Sequence, residues 1–148
     1  MQVRNQPIYR RQNLIGFTLI EILIVLVIVG ILISFAYPAY RQYILSANRV
    51  DAMSALTQDQ TIFERCYAQN FSYSATCAAR PSYPRNSEQN LYSISVSNLT
   101  ATTFTLTATA IGNQTKDTKC RSFSLNQANQ KTAVDSSGAN QDATCWNL

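Results

Sequence analysis

"NLIGFTLIEILIVLVIVGILISFAYPAY", residues 13–40, decides how this 148-residue chain is built. From Phe17 to Tyr37 nearly every residue is apolar, and Glu21 is the single charge. About 20 apolar residues rising about 1.5 Å each cross a hydrocarbon layer of about 30 Å, so the run is long enough to span a bilayer. A secretory signal fits it less well. Its apolar stretch would be about 7 to 15 residues long and would end at a small-x-small cleavage site. Here "ISFAYPAY" passes straight into "RQYILSANRVDAMSALTQDQTIFERCYAQ" with no such site. Glu21 is the anomaly. An ionised carboxylate at membrane depth costs several kcal/mol unless it is paired, so its presence points to function.

Outward from the apolar run, the periodicity stays helical. Leu45, Ala52, Leu56, Phe63 and Tyr67 fall along one stripe at helical spacing, with Asp51, Glu64 and Arg65 mostly off it. The pattern predicts one helix from near Phe17 to near Tyr67, roughly 75 Å long. Its first half is apolar all round, and its second half is amphipathic and needs a surface to cover. Gly30 and Pro38 are poor helix formers, and Pro38 is expected to remove a backbone hydrogen bond and kink the helix.

Beyond the helix the pattern changes to period two. In Leu91–Ser97, Tyr92, Ile94 and Val96 alternate with Leu91, Ser93 and Ser95; in Thr103–Ile111, Phe104, Leu106 and Ala108 alternate with threonines; Phe123 and Leu125 follow two apart. Three half-buried strands, with a weaker fourth in "QANQKTAVD", predict an antiparallel meander whose apolar face covers the helix stripe. Pro81 and Pro84 predict an irregular loop between helix and sheet. The tail "DSSGANQDATCWNL" reads as polar coil. The fold class is α+β.

Charge and cysteine usage narrow the function. The net charge is +4 and the pI about 9.0, but Arg4, Arg10 and Arg11 all lie in the first 16 residues, where there is no acid. Most of the positive charge thus belongs to a leader that the positive-inside rule keeps on the cytoplasmic side, and the pI alone does not indicate nucleic acid. Cys66, Cys77, Cys120 and Cys145 all follow the span, an even set that suits two disulfides in an oxidising compartment. With no histidine and no CxxC pair, a zinc site would need all four scattered thiolates; no metal or cofactor is expected. Neither a phosphate-binding Gly loop nor a GxSxG is present, and Asp59, Glu64 and Asp117 read as solvated, so the chain is not expected to be an enzyme.

The residues "GFTLIE", Gly16 to Glu21, after a short basic leader and at the head of a long apolar helix, resemble the class III signal of type IV prepilins and pseudopilins. The resemblance implies the type IV pilin fold, a long N-terminal helix (half of it transmembrane) packed on a 3–4-stranded antiparallel sheet. It divides the chain into a leader (1–16), a transmembrane and filament-core helix (17–44) and a periplasmic or extracellular head (45–148). It implies cleavage by a prepilin peptidase between Gly16 and Phe17, N-methylation of Phe17, and an inner-membrane, single-pass form that passes through an assembly platform into a surface pilus. Glu21 would then attract the N-terminal amine of a neighbouring subunit and set register, while Ile22, Leu26 and Ile33 bury against other helices. The segment between Gly30 and Pro38 would lose helical structure on assembly. "LYSISVSNLTATTFTLTATAIGNQTKDTKC" followed by "CW" is similar to the head of E-type minor pilins, a likeness that pairs Cys66 with Cys77 and Cys120 with Cys145. Closing a loop of about 25 residues in this way stabilises by on the order of 3 to 4 kcal/mol. Two features depart from the family pattern: Ile15 stands before Gly16, and Arg121 stands where Gly often follows the cysteine.

Three roles remain. The first is a minor pilin, with adhesion, motility or DNA uptake as its task. The second is a pseudopilin of a type II secretion system, disfavoured because only Asp135 and Asp142 could supply the calcium-binding carboxylates such tails often use. The third is a competence pilin gripping DNA through Lys116, Lys119 and Arg121 of "KDTKCR".

Overall fold

The computed structural model describes residues 16–147 and divides the chain into two units, one ending at Pro38 and one beginning at Ala39. Residues 1–15 of the basic leader, Ile15 included, lie outside the described residues. Helix α1 (Leu19–Ala47) is followed after one residue by α2 (Arg49–Asn70). Where a single helix is expected, the ladder loosens at Asn48. Asn48 keeps right-handed helical dihedrals, and its N–H still donates to Ile44 at 3.0 Å, but its carbonyl accepts from Asp51 three residues on (3.2 Å). Pro38 lies inside α1, which runs on at either side of it. Phe71 ends α2 in the left-handed region (φ 52°), its N–H donating to Tyr67 at 2.7 Å.

In the second unit, α2 packs on an antiparallel sheet of five strands in the order β1 (Arg85–Asn86), β2 (Tyr92–Ser97), β3 (Thr105–Ala110), β4 (Ser122–Asn126), β5 (Lys131–Val134). β1 was not foreseen: two residues carry no period, and the strand lies in the stretch read as irregular loop. The pleat puts alternate residues on opposite faces. Tyr92, Ile94, Leu106, Ala108, Phe123 and Leu125 meet Leu56 and Phe63 of α2 in one core, with the Phe104 ring centred 4.7 Å from that of Phe63 and tilted by 35°. Each of the leucine, isoleucine and phenylalanine side chains contributes about 1.5–3 kcal/mol by leaving water. On the opposite face the register aligns Ser93 with Thr109, Ser95 with Thr107, Ser97 with Thr105, Thr107 with Ser124 and Ser124 with Thr132. That face carries hydroxyls and no charge along its centre.

Two disulfides, Cys66–Cys77 and Cys120–Cys145, staple the loop after α2 and the C-terminal tail. The tail is not coil. It forms a turn of helix, α3 (Asp142–Cys145), and lines the open edge of β5. Gln141 N–H donates to Ala133 O, Asp142 accepts from Ala133 N–H, and Trp146 Nε1–H donates to Thr132 O (2.9 Å). An edge strand so covered offers little backbone to an intruding chain.

Candidate functional site

The first candidate is the apolar segment of the first unit. Gly16 and Phe17 stand before α1, both exposed. Thr18 Oγ1 accepts the Glu21 backbone N–H at 3.2 Å, the bond an N-cap residue makes to the third position of its helix. "TLIE" thus has the spacing of a capping box, a signal carried by the sequence itself. Glu21 sits exposed in the first turn, where the helix macrodipole favours a negative charge. Ile22, Leu26 and Ile33 are 47%, 62% and 57% exposed, and every described residue from Gly16 to Ile44 is exposed. So much bare hydrocarbon is not the surface of a solitary soluble chain. A side-chain carbon added at Gly30 would meet nothing within 4 Å. Glu21, Gly30 and Pro38 therefore share a helix that leaves its apolar surface unburied within the chain.

The second candidate lies in the second unit, on the connection between β3 and β4. Gly112 opens it at φ 55°, a conformation costly for other residues, and a 3-10 turn (Gly112–Lys116) follows. The connection is clamped to the helix. Gln114, 1% exposed, donates from Nε2 to Leu45 O (2.9 Å) and Tyr92 Oη (3.0 Å) and accepts at Oε1 from Asn48 Nδ2 (3.1 Å). The Leu45 carbonyl lies at the loosened turn, where an outside donor finds room. Burial raises the Tyr92 hydroxyl pKa above its ordinary range, an effect the Gln114 bond partly offsets.

Asp117 completes the clamp. Its two oxygens accept from Arg49 Nε (2.7 Å) and Nη2 (3.0 Å), and Oδ1 also accepts the Cys120 N–H (3.2 Å). Asp117 is 1% exposed, contrary to the expectation of a solvated carboxylate. Asp59, read the same way, is likewise 1% exposed and paired with Arg85 at 2.6 and 3.1 Å. Asp51, expected off the buried stripe, is also buried and accepts from the Ser87 hydroxyl. Carboxylates are buried here because each has a cation or convergent donors to hold it.

This clamp changes the charge the loop presents. Its one acid turns inward, while Lys116 and Lys119 remain exposed. Arg121 is half-buried and donates to Thr115 O at 2.9 Å, so it braces the loop. Lys119 adjoins the tail, its carbonyl 3.5 Å from Cys145 Sγ, and the Ser136 N–H donates to Thr118 O at 2.9 Å. Among the described residues, no cluster of three His, Cys, Asp or Glu side chains is placed to hold a metal ion.

Comparison with known proteins separates the same two parts. The family described as "Prokaryotic N-terminal methylation motif" matches residues 15–37. The family described as "Type IV minor pilin ComP, DNA uptake sequence receptor" matches residues 38–124, more than half of the chain. A type IV major fimbrial protein FimA of Dichelobacter nodosus is 45% identical over 51 residues, 34% of this chain and 33% of that protein. A fimbrial protein of the same organism is 51% identical over 39 residues, 26% of this chain and 24% of that protein. The chain thus spans about a third or less of the length of these curated relatives. Among solved structures, the Neisseria meningitidis non-core minor pilin PilV matches with a TM-score of 0.52 at 17% identity, covering 70% of this chain and 94% of that one, a likeness of fold.

Proposed function

Because this chain belongs to the family of the type IV minor pilin ComP, DNA uptake sequence receptor, we propose that it is a minor subunit of a type IV pilus, held in the filament by its N-terminal helix. The observation that carries this reading is the bare apolar helix headed by a capped, exposed Glu21, within a stretch that matches the N-terminal methylation motif. In this proposal a prepilin peptidase cuts between Gly16 and Phe17 and the new amine on Phe17 is methylated. The Glu21 carboxylate then pairs with the amine of a neighbouring subunit. Each charge is unfavourable alone at membrane depth and tolerable when paired, which makes correct register self-selecting. Before assembly the helix holds the subunit in the inner membrane; afterwards residues 45–148 form the displayed head. Gly30 and Pro38 let the intervening helix yield as it packs.

Mass spectrometry of filaments sheared from cells tests this reading. A methylated peptide beginning at Phe17, at low stoichiometry, is the expected result. A processed protein that stays in the membrane and never enters sheared pili would instead favour a pseudopilin.

A second reading, DNA contact by the head, is favoured by the burial of Asp117, which leaves Lys116 and Lys119 as the exposed charges of their loop. Lysines act on phosphate as point charges, so the contact would be electrostatic and salt-dependent. Binding by the detergent-solubilised chain that weakens as salt rises is expected. Absence of binding at low salt would remove this reading and leave the first untouched.

A further inference from the structure

The buried aspartates of the head are held in two different ways. Asp117 is paired with Arg49, and Asp59 with Arg85. Asp51, 6% exposed, has no such partner: no arginine or lysine among the described residues forms a salt bridge to it. The Ser87 hydroxyl and the Gln89 N–H (3.3 Å) donate to its two oxygens, and its place in the first turn of α2 favours a negative charge. Neither brings a counter-charge. A carboxylate has about four acceptor positions, so about two of them remain for another donor.

Asp51 forms part of the wall of a cleft of about 400 Å³. Helix α2 supplies one side, with Asp51, Ser54 and Gln58 at helical spacing on a single face; Arg85 and Asn86 of β1 and Glu88 of the turn after it supply the other. Ala55 is the only apolar residue lining it. Ligand pockets of about 300–1,000 Å³ are mostly apolar, so this cleft has the size of one without the wall that would hold an apolar molecule. Its charge is lopsided. The Arg85 guanidinium is committed to Asp59 at 2.6 and 3.1 Å, which leaves Asp51 and the exposed Glu88 without a cation among the described residues.

The place of the cleft in the fold points to the kind of partner. β1 is an edge strand; the tail covers the sheet edge at β5, and the cleft lies at the opposite edge. Asp51 stands four residues beyond the end of α1 at Ala47, and its neighbour Val50 is 54% exposed. Resting on the minor-pilin reading above, we propose that this cleft receives a lysine side chain from an adjoining pilin subunit, whose ammonium group is the counter-ion that Asp51 lacks. In a filament held together by its helices, the first turns of α2 are the part of the head that follows that contact along the chain. An ammonium suits the cleft better than a guanidinium. The acceptors come singly from Asp51, Ser54, Gln58, Asn86 and Glu88, and rotatable N–H donors reach separate acceptors, where a planar fork needs paired oxygens. The contact favours a neighbour that brings a base and opposes one that brings an acid, so it selects among subunits.

The cleft is tested by nuclear magnetic resonance on the full, isotopically labelled chain in detergent at low salt. The probe is Nα-acetyl-lysine amide, and Nα-acetyl-norleucine amide is its uncharged control. The amide signals of Gln58, Glu88 and Gln89 are expected to shift with the lysine probe and to stay still with the control. Glu88→Gln, at an exposed position, is expected to weaken binding roughly 1.5- to 5-fold. Asp51→Asn, which keeps one oxygen for the Ser87 hydroxyl, is expected to weaken it roughly 10- to 100-fold. Sheared filaments are then treated with a carbodiimide, which condenses a carboxylate with an adjacent amine and takes up the water as a urea. Mass spectrometry is expected to find Glu88 joined to a lysine of another subunit. No shift with lysine, equal shifts with norleucine, or undiminished binding by both variants overturns the cleft and leaves the pilin reading intact. Lysine binding with Glu88 never joined to another subunit, in filaments where other carboxylates are joined, overturns the assigned partner. If the chain is absent from filaments, the pilin reading and the partner fall together.

Discussion

Removing the carboxylate of Asp117 tests the clamp that joins helix and loop. Asp117→Ala leaves the Arg49 guanidinium, whose side chain is 8% exposed, without its two acceptors at 2.7 and 3.0 Å. The Cys120 N–H, 3.2 Å from Asp117, also loses its acceptor. Breaking a buried pair from one side typically costs about 3 to 5 kcal/mol, because the remaining charge has been taken out of water and not repaid. For a domain of about 110 residues, each kcal/mol moves the melting temperature by about 4 °C, so a fall of roughly 12 to 20 °C is expected. The assay is thermal unfolding of the full chain in detergent, followed by near-ultraviolet circular dichroism. The double variant Arg49→Met/Asp117→Leu removes both charges and is expected to recover most of the loss, since apolar replacements of buried pairs are often neutral. A fall of less than about 4 °C for Asp117→Ala, or a double variant less stable than the single one, would show that the pair is not what holds the loop.

Further outcomes follow from the same structure. Phe63→Ala, at a fully buried position against Phe104, is expected to cost about 3 to 5 kcal/mol, measured by the same melting experiment. Glu21→Val should leave membrane insertion intact and impair methylation or entry into filaments; normal methylation with normal incorporation would refute the pairing role. Burial, reinforced by a 2.9 Å hydrogen bond to Glu64, pushes the Tyr73 hydroxyl to about 12, and burial raises Tyr83 and Tyr92 as well. Because these raised values favour the protonated phenol in the folded head, the stability they contribute is present below the unfolded tyrosine value of about 10 and lost as pH rises through the folded values. Melting temperatures should therefore drop steeply above about pH 10, and a flat profile there would contradict the burial of these phenols.

Periodic apolar patterns made much of the fold legible. Tyr92, Ile94, Leu106, Phe123 and Leu125 alternate because one face of the sheet meets α2, and Leu56 and Phe63 fall on a helical stripe for the same reason. Strand β1 has too few residues for any period, and it is held instead by Arg85 reaching Asp59, 26 positions earlier. Charged residues were misread wherever the partner was distant. Asp117 meets Arg49 across 68 positions, and no local pattern distinguishes such an acid from a solvated one. The motif at Gly16–Glu21 was legible because its parts are contiguous, yet the Thr18 cap within it was passed over. On the head, the basic character of residues 116–121 was visible. That Arg121 is a brace, that Lys131 stands over the Trp146 ring, and that Cys145 meets the Lys119 carbonyl follow only from how β5 and the tail fold back.

The hydroxyl face of the sheet leaves room for sequence drift. Ser93, Ser95, Thr107, Ser124 and Thr132 alternate with residues that build the core, yet they take little part in it. Exchanges at such surface positions usually change stability by less than about 0.5 kcal/mol. Selection on the interior therefore places little restraint on this exterior. A lineage could rewrite what the face presents, residue by residue, and keep the same fold.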